Sequence, residues 1–313
     1  MQNSRNKFRV TIFQKRMAIL SSPKKTIDEF AWEEDFMALL GKRWALHQRK
    51  NVLEVGCGYG LWTKHYEKLL PARTTIVLSD ISPTYLGEAK KRLANLTRRK
   101  FTFCVAKAQR LPFKEDSFDF ITCQRLLMHV ADPLEAIQEL RRILHPSGIL
   151  AILEPCSLYR AISNCYRQEL LKNEDYGKLC YFQETAERGK INLGEGDNSI
   201  GERIPIYLQN CGFTAIKTCL NDYLVQLLPK CESDSQVFFK NEILAWFNSR
   251  FYSIWNFQEA KKYFIAGGGT LKELQFFQIF IKGLNKKVIG KIRKNNAHVV
   301  LNEPIFITWA KKL

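Results

Sequence analysis

The 313-residue chain is strongly basic: 48 lysine and arginine residues oppose 31 aspartate and glutamate residues, which gives a formal net charge of +17 at pH 7. Hydrophobic residues make up 46 % of the sequence, ample for one large domain or for a core domain with an added lobe. No apolar stretch approaches the length of a membrane span or of a signal peptide core. The nine cysteines are scattered without paired spacing, so a cytoplasmic protein with reduced thiols and no transmembrane segment is expected.

Several common catalytic and metal-binding patterns are absent from the sequence. It has no G-x-S-x-G, H-E-x-x-H or C-x-x-C pattern and no phosphate-binding lysine motif. Clustered metal ligands are missing as well, so no metal is expected.

Residues 1–50 are predicted to form a mainly helical N-terminal lead-in, since apolar residues recur at helical spacing from Ile27 to Leu46. The beginning of this segment carries a basic set that comprises Arg5, Lys7, Arg9, Lys15 and Arg16.

A glycine-rich turn follows the first predicted strand. That strand ends at Gly56, and Gly58 and Gly60 come before a helix-like pattern. Such a turn lets the backbone approach a ligand closely, with free N–H groups pointing at it. A dinucleotide fingerprint would need its third glycine where Leu61 stands, so the spacing argues against NAD or FAD and against a nicotinamide oxidoreductase. Glu54, just before the turn, favours a ligand that carries an ammonium group.

The second predicted strand, residues 75–80, ends in Asp80, 24 residues after Gly56. A carboxylate at this point suits a bidentate contact with ribose hydroxyls in a βαβ unit. The alternative is an acidic cap for the helix that begins near Ser82. Together with the glycine turn, the ribose interpretation is favoured.

Four segments, in this order along the chain, resemble the motifs of the class I S-adenosylmethionine-dependent methyltransferases. Within that family they resemble the small-molecule branch that includes the ubiquinone and menaquinone biosynthesis methyltransferases. The segments are VLEVGCGYG, LSDIS, AKAQRLPFKEDSFDFITCQRLLMHV and ELRRILHPSGILAILEP, and they span about residues 48–155. The resemblance implies S-adenosylmethionine as cofactor and S-adenosylhomocysteine as product. It also implies an α/β Rossmann-like fold, a seven-stranded and mostly parallel sheet with helices on both faces.

The resemblance assigns roles to individual residues of the cofactor site. The backbone of turn 56–60 would hold the amino-acid end of the cofactor, and Asp80 would hold the ribose. Ile81 would pack on the adenine face, Ala108 would meet the adenine edge through its N–H, and Gln124 would face the methionine moiety. The complete predicted cofactor-binding set is Glu54, Gly56, Cys57, Gly58, Gly60, Asp80, Ile81, Ala108, Gln109 and Gln124. In such proteins the lead-in often closes over the cofactor, which makes Phe30 and Trp32 candidate lid residues, with packing against the sheet as the alternative.

One position departs from the pattern of the family. The adenine loop usually reads G-D-A-E-x-L-P-F, whereas residues 106–113 read AKAQRLPF. Lys107 stands where an acid commonly accepts a hydrogen bond from adenine, and a lysine ammonium is no acceptor. Adenine recognition is therefore expected from backbone or from Gln109, and a non-catalytic homologue becomes an alternative. Asp119 is expected to hold the loop before the fourth strand rather than to contact the ligand.

His129 is the candidate general base. It follows the fourth predicted strand at the carboxyl edge of the sheet, where ligands bind in open α/β folds. A histidine titrates near physiological pH and can accept the proton of a nucleophile, although a base is needed only if the nucleophile must lose one. The alternative is a histidine that bonds backbone and shapes the floor of the pocket.

The remaining elements complete a predicted core and an insertion. The further predicted strands are 101–106, 118–123, 148–154, 214–220 and Pro304 to Trp309. The chain is expected to divide into a lead-in or lid at 1–50, a cofactor-binding core at 51–221, a helical substrate-lid insertion at 222–297 and a final core strand at 298–313. The insertion is rich in aromatic residues and is interpreted as covering an apolar substrate pocket, with core or dimer packing as the alternative.

The sequence thus predicts transfer of a methyl group to an oxygen or nitrogen atom of a small, partly apolar or aromatic metabolite. One alternative is a methyltransferase that acts on RNA, a peptide or a carrier-bound substrate through a basic surface, whose densest part is 282–294. Aromatic residues are not interleaved with that cluster, which disfavours single-stranded nucleic acid. The other alternative is the non-catalytic cofactor-binding homologue. The oligomeric state is left open, with a dimer as one option.

Overall fold

The computed structural model describes seven segments of the chain. They are residues 32–96, 99–162, 172–222, 225–229, 234–249, 255–301 and 304–313. The N-terminal basic set and Phe30 therefore lie outside the described residues, and so does the first part of the predicted lead-in helix.

The strands of the described residues form one large and one small sheet. In chain order they are β1 (Asn51–Val55), β2 (Thr75–Asp80), β3 (Phe101–Val105), β4 (Phe118–Gln124), β5 (Leu144–Pro155), β6 (Phe213–Leu220), β7 (Val225–Leu227), β8 (Val299–Leu301) and β9 (Ile305–Lys312). The large sheet has the order β3-β2-β1-β4-β5-β9-β6, and β7 pairs with β8. Strands β1 to β5 are joined in parallel, and β9 runs antiparallel to both β5 and β6. This confirms the predicted seven-stranded, mostly parallel fold.

The predicted strand boundaries hold to within one residue at each start, with β5 as the exception. This strand was predicted to begin at residue 148, yet it begins at Leu144. Phe118 of β4 pairs with Leu144, and the register shifts before the next pair, so the extra residues form a bulge. Ser147 has a left-handed backbone conformation, with φ +64°, and this bends the strand at the bulge.

The helices flank both faces of the large sheet. They are α1 (Glu34–Arg43), α2 (Thr63–Tyr66), α3 (Pro83–Leu96), α4 (Pro133–Ile143), α5 (Ser157–Ile162), α6 (Asn173–Asn192), α7 (Ile204–Asn210), α8 (Asp234–Ser249), α9 (Phe257–Ala266) and α10 (Leu271–Arg293). Short 3-10 turns lie at Leu46–Gln48, Glu67–Leu69, Leu127–His129 and Ile200–Arg203. Among the described residues, no helix combines the length and apolar character needed to cross a membrane.

Two apolar cores lie on opposite faces of the large sheet. On one face, α4 and α7 pack on the sheet through side chains such as Ile137, Leu140 and Leu208. On the other face, α1, α2 and α3 bury the large rings of Trp44 and Tyr66. Helices on both faces bury the strands from either side, so the strands are almost continuously apolar, as parallel strands are.

A third core belongs to a helical lobe, which we define as α6, α8, α9 and α10. Its centre is aromatic: the ring of Phe182 lies 4.9 Å, centroid to centroid, from the rings of both Phe264 and Phe277. Most of the insertion's aromatic residues that lie in the described segments pack into this core. This arrangement corresponds to the second interpretation given above, in which these residues serve packing and do not line a substrate pocket. Helix α6, which was not predicted from the polar stretch before residue 200, supplies one wall of the core.

The contact between α6 and α9 is a close approach of two backbones. A Cβ atom at Gly189 would collide with the carbonyl oxygen of Tyr263, and one at Gly267 would collide with that of Thr185. The side chain of Asn192 donates to the carbonyl of Ala266 across the same contact, at 3.0 Å. Glycine at these positions is therefore required by packing and not by backbone conformation.

This packing predicts opposite effects for two glycines of the same helix. Gly189→Ala should lower the free energy of unfolding by about 3 kcal/mol, since the new methyl group overpacks the helix contact. Gly177→Ala should raise it by about 1 kcal/mol, because a Cβ there meets nothing within 4 Å and alanine favours the helix. Urea denaturation of both variants measures this, and equal effects would contradict the close approach of α6 and α9.

Candidate active site

The glycine turn lies at the carboxyl end of β1, in the conformation that its sequence predicts. Gly56, Gly58 and Gly60 have φ values of +69°, +51° and +72°, which glycine adopts without strain. The N–H of Cys57 donates to the carbonyl of Ser79 on β2 at 3.0 Å and so ties the turn to the sheet.

The three glycines differ in what surrounds them. A Cβ at Gly56 would lie 2.7 Å from a methyl group of Leu126, and one at Gly60 would lie 3.1 Å from Leu93. A Cβ at Gly58 would meet nothing within 4 Å. The outer glycines therefore make room for protein side chains, whereas Gly58 faces open space and is the backbone that a ligand can approach most closely.

Asp80 connects the end of β2 to the glycine turn. One carboxylate oxygen accepts the N–H of Gly58 at 2.9 Å, and the other accepts the N–H of Ser82 at 2.8 Å. Burial raises the pKa of Asp80, and these N–H donors oppose that rise. The cap of α3 is Ser82 itself, whose hydroxyl accepts the N–H of Tyr85 at 3.3 Å. Asp80 is thus a link between two strand ends rather than a plain helix cap.

Glu54 lies beneath the turn and is fully buried. Its carboxylate accepts the hydroxyl of Thr63 at 2.6 Å and that of Tyr66 at 2.9 Å, which joins β1 to α2. Burial raises the pKa of Glu54 to about 7. Burial also raises the pKa of the Cys57 thiol, so this cysteine is a neutral packing group.

The predicted adenine loop is folded against the end of β2. The N–H of Ala106 donates to the carbonyl of Asp80 at 3.0 Å. Ala108 is buried and Gln109 half-buried, while the side chain of Ile81 is 63 % exposed. Lys107 is exposed, and its backbone bridges Arg110.

An ion pair that the sequence analysis missed holds this loop. Glu139 of α4 accepts the N–H of Leu111 at 2.7 Å, and Arg142 donates to the carbonyl of Phe113 at 2.9 Å. Glu139 and Arg142 also bond each other, and this lowers the pKa of Glu139. An i,i+3 pair of opposite charge usually lies on a solvated helix face, so the sequence offered no signal for its role.

Glu154 fixes the turn that leads from β4 to His129. This buried carboxylate accepts the backbone N–H groups of Leu126, Leu127 and Met128 at 2.9, 2.7 and 3.3 Å. Burial raises its pKa to about 7, against the effect of these donors. Gln124 is the last residue of β4 rather than the residue after it, and His129 is exposed at the far end of the turn.

The helical lobe holds the same turn from the other side. The buried ammonium of Lys190 on α6 donates to the carbonyl of Met128 at 2.9 Å and also bonds the side chain of Asn198. Glu187 lies one turn before it and is buried as well; burial raises its pKa and Lys190 opposes that rise.

The loop after α6 packs directly against the turn that carries His129, so closely that no side chain fits at residue 196. Gly196 has φ +92°, and a Cβ there would collide with the carbonyl group of Met128. The turn that carries His129 is therefore held by Glu154 from the sheet, by Lys190 from the lobe and by this loop. Polar residues at helical spacing in α6 were the only sequence signal for these contacts.

The predicted cofactor-binding residues all lie along one edge of the sheet, at the carboxyl ends of β1, β2 and β4 and in the loop after β3. Hydrogen bonds connect Gly58 to Asp80 and Asp80 to Ala106, and Leu126 packs on Gly56. Asp119 lies at the opposite edge, where its carboxylate accepts the N–H groups of Lys50 and Asn51 at the start of β1 and not those of the loop before β4, which it was expected to hold. No cluster of potential metal ligands occurs among the residues that the structure describes.

Comparisons with known proteins agree with this architecture. Residues 53–152 match the family described as a methyltransferase domain. A demethylmenaquinone methyltransferase of Staphylococcus aureus (strain MRSA252) is 31 % identical over 123 residues, which are 39 % of this chain and 48 % of the relative. One of Shouchella clausii (strain KSM-K16) is 24 % identical over 140 residues, which are 45 % of this chain and 58 % of the relative. The match thus spans about half the length of these curated relatives.

A solved structure shares the fold. It is a protein of Bacillus halodurans C-125, provisionally described as a methyltransferase, with a TM-score of 0.50 and 14 % identity over 89 % of this chain and 99 % of that one. At this identity the likeness concerns the fold alone.

The raised pKa of Glu54 predicts a pH dependence of stability. Between its ordinary value of 4.5 and about 7, the folded protein keeps a proton that the unfolded chain releases. The stability that this group contributes is therefore present below about pH 4.5 and is lost as pH rises through about 7. In Glu54→Gln, the fall in the free energy of unfolding between about pH 5 and about pH 8 should be smaller by about 2 kcal/mol.

Urea denaturation at the two pH values measures this difference. Glu154 and Glu187 still contribute to the pH dependence in the variant, so the slope should be reduced and not abolished. Glu88→Gln, at an exposed carboxyl of α3, is the control and should keep the wild-type slope. A wild-type slope in Glu54→Gln would show that Glu54 is already ionised in the folded protein.

Proposed function

We propose that this chain, whose residues 53–152 match the family described as a methyltransferase domain, is a class I methyltransferase that binds S-adenosylmethionine at the glycine turn and transfers the methyl group to a small acceptor. The observation that carries the proposal is the pairing of Gly58 and Asp80. Gly58 presents open backbone at φ +51°, and the carboxylate that accepts its N–H lies at the end of the neighbouring strand. This arrangement supports a ligand with a cationic amino-acid end and a ribose.

The residues around this pair fit the cofactor. The exposed side chain of Ile81 offers an apolar surface for a base, beside the buried backbone of Ala108. The loop keeps its shape with Lys107 because Glu139 and Arg142 hold it from α4. The predicted adenine loop therefore keeps its shape without an acid at position 107. This supports an active enzyme over a non-catalytic homologue.

The chain would act mainly by alignment and by exclusion of water. When bound, S-adenosylmethionine supplies a methyl group on a positively charged sulfonium. The glycine turn and Asp80 would fix its position, and the turn that carries His129 would present the acceptor from the side of the helical lobe. His129 would accept the proton of an oxygen or nitrogen nucleophile, which its exposed position at the end of the turn permits.

The acceptor that we propose is a small, partly apolar or aromatic metabolite. The named relatives are demethylmenaquinone methyltransferases, so a reduced demethylmenaquinone is the first acceptor to test. Its ring hydroxyl would give a proton to His129, and either that oxygen or the ring carbon beside it would take the methyl group. The seven cysteines that the structure describes are free thiols, which supports a reducing compartment and therefore a cytoplasmic location.

Asp80 should be needed for cofactor binding. Asp80→Ala removes a charged acceptor of hydroxyl hydrogen bonds and releases the N–H of Gly58, so affinity for S-adenosylmethionine should fall about tenfold to hundredfold. Calorimetric titration with S-adenosylmethionine, and separately with S-adenosylhomocysteine, measures this. Glu88→Gln should bind like the wild type. If the wild type binds neither compound, the proposed function is wrong.

His129 should be needed for turnover and not for cofactor binding. His129→Ala should lower kcat by at least about a hundredfold if it acts as general base, with calorimetric affinity for S-adenosylmethionine unchanged. The assay is formation of S-adenosylhomocysteine with reduced demethylmenaquinone. His47→Ala, at another exposed histidine, is the control. An equal loss of cofactor affinity in His129→Ala would refute the base assignment.

A further inference from the structure

The outer side of α10 combines exposed apolar side chains with a basic segment. The inner side of this helix packs into the lobe through residues that include Leu274, Phe277 and Ile281. On the opposite side Ile279 is 77 % exposed and Phe276 is 46 % exposed. We define the outer face of α10 as Lys272, Phe276, Ile279, Lys282, Lys286, Lys287 and Arg293, all of which are exposed.

The part of this face from Lys282 to Arg293 contains no acidic residue. The sequence contains no aspartate or glutamate between Glu273 and Glu303. Among the described residues, no carboxylate forms an ion pair with Lys282, Lys286 or Lys287. The segment 282–294 carries six lysine and arginine residues and no acid, which creates a local positive potential that attracts a negatively charged partner.

The apolar part of the face is organised as well. The rings of Phe276 and Phe280 are stacked, with centroids 5.9 Å apart and an interplanar angle of 8°. The ammonium of Lys178 on α6, which is paired with Asp175, lies 5.4 Å from the centre of the Phe276 ring and so packs a cation against it. The exposed ring of Phe276 and the exposed side chain of Ile279 therefore lie within two helical turns of Lys282.

We propose that the outer face of α10 docks on an anionic lipid surface. Phe276 and Ile279 enter the boundary between headgroups and acyl chains, while Lys282, Lys286 and Lys287 contact lipid phosphates. A surface helix with aromatic and aliphatic side chains beside lysines is the pattern of interfacial helices. Each lysine close to such a surface strengthens binding about fivefold.

The aliphatic part of the face favours lipid over nucleic acid. Nucleic acid would pair with the lysines through phosphates, and bases would stack on aromatic rings. The most exposed apolar residue of the face is Ile279, which offers neither a ring for stacking nor a hydrogen bond. Hydrocarbon is the partner that stabilises such a side chain, since its burial removes apolar area from water.

This inference goes beyond the proposed function and does not depend on it, since docking requires neither cofactor nor turnover. The test is co-sedimentation of the full chain with vesicles of phosphatidylcholine alone, or of phosphatidylcholine mixed with phosphatidylglycerol. We expect binding to the mixed vesicles only. Lys282→Gln/Lys286→Gln/Lys287→Gln should weaken it by roughly a hundredfold, and Ile279→Ser by roughly tenfold.

Matched control variants distinguish binding through the outer face of α10 from an effect of net charge or of exposed apolar residues elsewhere. Lys50→Gln/Lys90→Gln/Lys100→Gln removes the same charge from exposed lysines elsewhere, and Ile206→Ser removes another exposed isoleucine. Both controls should bind like the wild type, and all variants should keep the thermal unfolding midpoint because the changed side chains are exposed.

Three results would overturn the proposal. The first is equal weakening by the two lysine variants, which would assign binding to net charge alone. The second is equal binding to neutral and anionic vesicles. The third is binding to single-stranded RNA without binding to vesicles. Calorimetric titration with S-adenosylmethionine in the same variants reports separately on the proposed function.

Discussion

Three buried carboxylates at the ends of parallel strands hold the site together. Asp80 ends β2 and accepts the N–H of Gly58, Glu154 lies near the end of β5 and accepts three N–H groups of the turn at 126–128, and Glu54 on β1 anchors α2. Asp80 and Glu154 each reach from their own strand to the loop that follows a neighbouring strand, whereas Glu54 holds the helix that follows its own strand. Because parallel strands leave their loops unpaired at one edge, such side chains supply the order that backbone pairing does not. Burial makes these bonds strong, and the raised pKa values of the three carboxyls are the cost of that burial.

The helical lobe is joined to this edge through a polar contact and not through a shared apolar core. The apolar side chains of the lobe pack on one another, while Lys190 carries the link to the carbonyl of Met128. A buried ammonium needs acceptors, and the carbonyl together with Asn198 provides them. The direction of a hydrogen bond is more specific than an apolar contact, so the lobe is set in a defined place relative to His129.

The sequence predicted those parts of the site that are local. The glycine turn and Asp80 follow from glycine spacing and a carboxylate at a strand end, which lie within a short stretch of chain, and the fold was implied by the resemblance of four such stretches to a known family. Lys190 could not be found in this way, since 62 residues separate it from Met128. Helix α6 was missed because its apolar face is narrow and serves only the lobe. The aromatic insertion was recognised, yet composition alone does not tell whether a ring lines a pocket or fills a core.

Two surfaces of the helical lobe differ in their surroundings: α6 contacts the turn at 126–128, whereas the outer side of α10 is exposed. The contact of α6 with the turn at 126–128 is polar and buried, and Lys190 donates a hydrogen bond across it, which fits a fixed position for the proposed base His129. The outer side of α10 is apolar and basic, and its Ile279 is 77 % exposed although an exposed isoleucine adds nothing to stability there. A lobe that served only to complete the core would need the first surface and not the second. The apolar and basic composition of the outer face of α10 is therefore best explained by a partner outside the chain.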